Sequence, residues 1–529
     1  EAYFALSDSY DVITGAWAAQ NAAPGGEGGG QAPAPGGEGG GQAPAPGGEG
    51  GGQAPAPGSG GGGGGGDAAS NDGFVPPVGP PPEIAGGLDP RKAGADQIGD
   101  LQPNDFGEFT PHQVNSLPPK AMDGFDAERV AGLSPEAMGG FDPEQIGGLP
   151  PEAMGGFDPE RLGALPPNAV GGFNSKQFGA LPPAAISGFE ADQLAELDPK
   201  VVGSMDFKQF DQLTNDAFSG FQKGQIQALP NHFIADFNGI QLGNLPPEAM
   251  GGFNSKQFRA LPAAAMSGFE SDQLAELAPK VMKSMDIKQF EKLPNDAFAG
   301  FQKGQIQSLP NHFIADFNGI QLGNLPPEAM GGFNSKQFRA LPAAAMSGFE
   351  SDQLAELAPK VMKSMDIKQF EKLPNDAFAG FQPKQVSALR PKMFVGISAE
   401  QFSQFSAEAI TGLKPGSVRK ISPKALEDLD SEQMSGFSPK VFKVMKKDQI
   451  SNLPSGAFAG MTSTQAKKLA KGFVGELDEA QIQAIPVEAL DSMKKKIIGL
   501  IQDDISPEQD SQFASLLGQS VDQTSKILQ

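Results

Sequence analysis

Residues Leu133–Phe157 read LSPEAMGG, FDPEQIGG, LPPEAMGG and F, so the chain restarts every eight residues. That period decides what can be built. An α-helix turns about 100° per residue, so an eight-residue repeat drifts by about 80° each time and defines no lasting apolar face. In a strand, positions 1 and 6 of the octad differ in parity and point to opposite faces. Pro at position 2 or 3 and Gly at 7 or 8 would also interrupt either element in every repeat. Short helices remain.

Each octad carries its own punctuation. Asp, Ser, Thr or Asn at position 2 caps a helix N-terminus, with Pro at the first helical position. Glu behind it sits at the positive end of the helix dipole. Gly at position 7 or 8 supplies a left-handed residue that ends the helix. One helical turn is far too short to stand alone. It must bury positions 1 and 6 against other octads, which is the logic of an all-α solenoid. In the quoted stretch these core positions are Leu133, Met138, Phe141, Ile146, Leu149, Met154 and Phe157.

Working outward, the frame runs unbroken from Leu101 through Leu500, giving fifty octads with an apolar residue at position 1 in each. A second period of sixteen overlies the first. Octads headed mostly by Phe usually carry Gln at position 5, and they alternate with Leu-headed octads that usually carry Pro at position 2 and Ala at position 5. This predicts layers of two unlike helices, about 25 in all, and a rod of up to about 240 Å at a packing distance of roughly 9–10 Å. A third period is eighty: residues 237–302 and 317–382 are identical, and 173–236 is a diverged copy. Array length has changed by whole blocks of ten octads.

The glutamines are the one polar feature with array-wide spacing. They read either as a solvated row along one edge or as a ladder. In the ladder, the amides of Gln177, Gln193, Gln209, Gln225, Gln241 and Gln257 bond from layer to layer.

The flanks differ in kind. Residues 1–20 hold the only Trp, Trp17, and both Tyr, Tyr3 and Tyr10, and read as a short anchor or the end of an upstream domain. Residues 21–82 contain PGGEGGGQAPA three times and the run Gly60–Gly66, a composition that reads as a disordered Gly/Pro-rich tether. The octad solenoid is expected over 83–500 and a capping helix over 501–529. A start at Glu1 reads as a processed form or a piece of a longer protein.

Composition narrows the chemistry. With 40 Lys+Arg against 63 Asp+Glu the net charge is -23, which argues against nucleic acid or an anionic membrane surface as partner. No apolar run is long enough for membrane insertion. The absence of Cys removes disulfides and thiol catalysis. His112, His232 and His312 all fall at position 4 and read as outward surface residues, not as converging metal ligands. No D-x-D-x-D-G loop, nucleophile elbow or phosphate loop occurs. Lys446–Lys447, Lys467–Lys468 and Lys494–Lys496 are interleaved with Asp448, Glu476 and Glu479 and read as a solvated face. No catalytic, cofactor-binding or metal-ligating residue is assigned.

The octads FDPEQIGGL (141–149) and LDSEQMSGF (429–437) resemble the [ST]-P-E-Q-[IV]-x-x-[LF] arrays of large predicted bacterial surface or secreted proteins. This chain departs from them by many Leu-Pro-Pro starts and by its shorter length. The resemblance implies a structural role at or outside a cell surface, with no catalysis. The expectation is a non-enzymatic spacer, scaffold or adhesin-like stalk without a cofactor. A protein or cell-surface glycan is the expected partner, and self-association is left open. The rivals are a solenoid that binds protein or glycan along a groove, and the carboxy-terminal part of a larger enzyme.

Overall fold

The computed structural model describes residues 79–469 and 471–493, together with Pro507 and Ser511. The segment 1–20, nearly all of the tether 21–82 and nearly all of the capping helix 501–529 lie outside the described residues. The chain divides into two units, and the second, Asp72–Gln529, holds the array.

The described residues form an all-helical solenoid. Its helices are three to six residues long, and an isolated bridge between Ile84 and Leu88 is the one extended pairing among the described residues. Most helices begin at octad position 3. In Pro143–Gly148 the Asp142 side chain accepts from the Gln145 backbone N–H, and Pro143 occupies the first helical position. Leu-headed octads with Pro at position 2 have no capping side chain, and several, such as Pro119–Gly124 and Pro151–Gly156, wind as tighter 3₁₀ turns. Position 1 is then extended, as at Leu149 (φ -64, ψ 135), and turns the chain toward the next helix.

Positions 1, 5 and 6 are the inside of the molecule. Leu133, Met138, Phe141, Ile146, Leu149, Met154 and Phe157 are all buried and belong to one continuous core running the length of the array. Position 5 joins them as Ala121, Ala137, Ala153 and Ala169 in Leu-headed octads and as Gln in most of the others.

Two departures from expectation concern the fold itself. The packing unit is not a layer of two helices sixteen residues apart. Helices that pack face to face are three octads apart: Pro143–Gly148 lies against Pro119–Gly124 on one side and Pro167–Val170 on the other. The chain therefore coils with between three and four octads per turn. Three is odd, so the sixteen-residue alternation acquires a purpose: each Gln helix stacks on Ala helices in both neighbouring turns.

The second correction concerns glycine. Among the described residues a positive φ occurs only at Gly79, Gly86 and Gly87, all before the octads begin. Octad glycines are not left-handed helix ends. Many of them stand where neighbouring turns come too close for a Cβ.

The array starts at a small cap. Asp89 accepts hydrogen bonds from the Arg91 backbone N–H (3.1 Å) and guanidinium (3.0 and 2.9 Å). The bond from the Arg91 side chain is the main cause that lowers the Asp89 pKa to about 2. A carboxyl depressed in the folded state stabilises it above the usual carboxylate range, and that contribution is lost as pH falls toward about 2. Hydrogen-exchange protection across 84–93, relative to the unfolded rate at each pH, is expected to fall over that interval. Asp89→Asn should abolish the added pH dependence, and an unchanged profile would remove this role.

Candidate functional site

The polar interior is the feature most in need of explanation. Short helices leave most of their terminal N–H and C=O groups without an intrahelical partner, and burying them bare is costly. The position 5 glutamines meet that need from two directions. Gln145 accepts with Oε1 from the Asp142 backbone N–H (3.0 Å), closing the cap of its own helix. Its Nε2 donates to the carbonyl oxygens of Val114 and Leu117 (both 2.8 Å) in the preceding turn. The two acceptors are the end of the helix four octads back and the head of the octad three back, so the amide spans a junction.

The pattern repeats. Gln177 donates to Ile146 and Leu149 (both 2.7 Å), Gln193 to Leu162 (3.0 Å) and Leu165 (2.7 Å), and Gln209 to Phe178 (2.8 Å) and Leu181 (3.1 Å). Gln225 reaches Leu194 (2.6 Å) and Leu197 (2.8 Å), and Gln257 reaches Ile226 (2.7 Å) and Leu229 (2.9 Å). Neither sequence expectation describes this. The row is not solvated, since these side chains are at most 1% exposed. Nor is it an amide-to-amide ladder: every rung ends on a backbone carbonyl. Gln241 differs from the others, being half-buried and bonded only within its own cap. The signal that could have revealed the buried role is the spacing of a capping residue at position 2 and Gln at position 5, a capping box.

Arginine can do the same work. Arg129 pairs with Asp126 in its own cap and donates to the Gly99 carbonyl of the preceding turn. Arg161 pairs with Asp158 and donates through Nε to the Leu133 carbonyl (2.9 Å). A longer side chain carries the same two-way link to the rim of the stack.

Beside many of these links runs a glycine seam. A methyl group on Gly140, Gly172, Gly220 or Gly300 would overlap the carbonyl of Pro111, Pro143, Ala191 or Ser271 respectively, always position 3 of the octad three back. The overlap is with backbone, so no side chain can move aside. Glycine at position 8 thus sets how tightly the turns stack.

Titratable groups form no reacting constellation among the described residues. His232 and His312 are exposed and lie edge-on to Phe233 and Phe313 (4.4 and 4.5 Å). His112 is half-buried instead of outward, its Nε2 3.3 Å from the Gly79 carbonyl. Among the described residues no three His, Asp or Glu converge as a cation site, and no helix is long and apolar enough to cross a membrane. Lys447 is 2.7 Å from Glu476, whose hydrogen bond raises its pKa. Glu400 is held below the usual carboxylate range by hydrogen bonds from its own backbone N–H and from Ser398. Shallow open grooves recur between turns, one lined by Asn318, Ile320, Ser347, Glu350 and Asp376, its counterpart by Glu160, Ser187, Glu190 and Asp216.

No protein-family profile matches the chain, and no curated protein matches it. Among solved structures, one titled "Structure of APUM23-GGAAUUGACGG" aligns over 80% of this chain and 94% of that one, with 10% identity and a TM-score of 0.16. That title pairs a protein with the sequence GGAAUUGACGG, so the exclusion of nucleic acid read from the acidic balance is corrected and withdrawn. Net charge is a sum over the whole chain and does not describe any one face of a solenoid. A TM-score of 0.16 carries no argument about what this chain binds.

Proposed function

We propose that this chain is a non-enzymatic structural array, an extended spacer or scaffold whose length is set by the number of stacked turns, working at or outside a bacterial cell surface. One observation carries the reading. Most turns are closed by the same two devices, a buried Gln or Arg reaching back to backbone carbonyls and a glycine seam, and both depend on local repetition alone. Such an array tolerates gain or loss of a whole block. The identical blocks 237–302 and 317–382 are the mark of that change. The surface placement draws on the resemblance of its octads to surface and secreted arrays.

At three to four octads per turn, fifty octads would stack into roughly 13–17 turns, about 100–170 Å at helix-packing separations of about 8–10 Å. The array is thus shorter than the rod that two-helix layers would make. Small-angle scattering on the full chain and on a variant lacking residues 317–396 tests the proposal. The expected result is an array shorter by the same fraction as the octads removed, with an unchanged helical signal per residue. A variant that loses helicity throughout would sink the spacer reading.

A further inference from the structure

The links between turns are not uniform, and their failures are regularly spaced. Neither Gln241 nor Gln321 donates its amide to the preceding turn; each makes only the bonds of its own cap, and the double link is replaced by a single bond from the Asn244 or Asn324 amide to the Asn215 or Asn295 carbonyl (2.8 and 2.9 Å). Gln401 keeps one long contact, 3.5 Å to the Leu373 carbonyl. These three positions are ten octads apart. Backbone of adjacent turns meets where Gly163 faces Gly188, just over three octads on, and where Pro159 faces Gly188, just over three and a half octads on. Three turns therefore take between nine and eleven octads, so such a junction recurs about once in every three turns.

The cause is a pair of bulky residues meeting between turns. At the Gln241 junction Phe210, at position 6, stacks face to face on Phe233, at position 5 of the octad three later, with ring centres 4.7 Å apart. At Gln321 the pair is Phe290 and Phe313, 5.1 Å apart. At Gln401 the corresponding residues are Phe370 and Met393, both buried. The chain contains its own controls for each partner alone. Where position 6 is Phe178 and position 5 is the smaller Val201, Gln209 still crosses (2.8 and 3.1 Å). Where position 6 is Ile450 and position 5 is Phe473, Gln481 still crosses (3.2 and 2.8 Å). Both large residues are needed to hold the turns apart.

A second observation falls on the same places. The exposed large hydrophobic residues among the described ones are Phe207, Ile240, Ile320 and Val395. Phe207 lies against Phe233 (6.2 Å), Ile240 and Ile320 adjoin Gln241 and Gln321, and Val395 belongs to the Met393 octad. Apolar surface is left uncovered where the double glutamine link is missing.

We propose that the junctions at Gln241, Gln321 and Gln401 are built-in seams at which the array opens before it unfolds anywhere else. Their openings are local, while the doubly linked turns between them stay closed. Conformational freedom at a seam arises because too few interactions offset the entropy of opening. The array is then more than a passive spacer: it contains ten-octad segments joined at weaker junctions.

Hydrogen exchange read by mass spectrometry on the full chain tests this. Peptides 237–245 and 317–325 have the same sequence and are read together, as are 253–261 and 333–341, whose Gln257 and Gln337 are linked. The first set is expected to exchange at least tenfold faster than the second. In the double variant Phe210→Ile/Phe290→Ile, which copies the linked junction at Ile450, the first set should slow to the rate of the second. Equal exchange in the unmodified chain would overturn the proposal without any variant. So would a double variant that folds and leaves the seam peptides fast.

Discussion

Gln177→Leu is expected to destabilise its part of the array by about 2–4 kcal/mol, although leucine is the more apolar residue and the site is closed to water. The substitution takes the side-chain donor from the buried Leu149 carbonyl and the acceptor from the part-buried Asn174 N–H (2.9 Å), and removes one of the two donors to the Ile146 carbonyl, which keeps the Leu149 N–H (3.2 Å). Each buried polar group left without a partner costs about 1–3 kcal/mol. Gln177→Glu separates the two halves of the role. A carboxylate can still accept from Asn174, but it turns negative oxygens toward two carbonyls. The folded state then holds the proton more tightly than the unfolded chain, so the deficit is smallest in acid and grows as pH rises. Urea denaturation at several pH values checks both substitutions, with hydrogen exchange to show whether the loss stays within the adjoining turns, as nearest-neighbour stacking requires. A Gln177→Leu chain as stable as the original would show that the amide only fills space.

Gly172→Ala is expected to be as damaging for a different reason. The added methyl would overlap the Pro143 carbonyl, with the carbonyl carbon at 2.8 Å and Cα at 2.9 Å. Pro143 opens a helix with its φ locked by the ring, so that backbone has little room to give. Overpacking costs about 1–3 kcal/mol where side chains can adjust, and the upper end or beyond is expected here. Gly179→Ala is the internal control. Gly179 lies in the helix Ser175–Ala180, and nothing stands within 4 Å of where its methyl would sit. Alanine there should stabilise by about 0.5–1 kcal/mol through helix propensity and a less flexible unfolded chain. The same chemical change at two glycines in adjoining octads thus carries opposite signs. Thermal melts of the two variants decide it, and two shifts in the same direction would show that the seam does not limit how closely turns stack.

The octad repeat makes much of the local structure legible. A capping residue at position 2, Pro at position 3 and an apolar residue at position 6 carry their meaning within eight residues, so the start of each helix and its buried face can be read directly. Phe141 and Ile146 could hardly be anywhere but inside, because a helix this short has no other source of stability. Legibility stops at the edge of each unit. A period states what a repeat is, not which other repeat it touches. The choice of a neighbour three octads away depends on the angle between successive helices, and no single residue encodes that angle.

Glutamine and glycine show the consequence most clearly. Gln145 reads as a surface residue because glutamine usually is one; only the coil brings the Val114 and Leu117 carbonyls within reach and makes burial favourable. Gly172 could have ended a helix with a positive φ or admitted a neighbouring backbone, and both demand glycine. The sequence alone determined a stack of short capped helices around an apolar interior, because those features follow from contacts within one octad. The number of octads per turn, the buried side chains that join the turns and the junctions where they fail to join were decided by tertiary structure, because each depends on atoms three to four octads away.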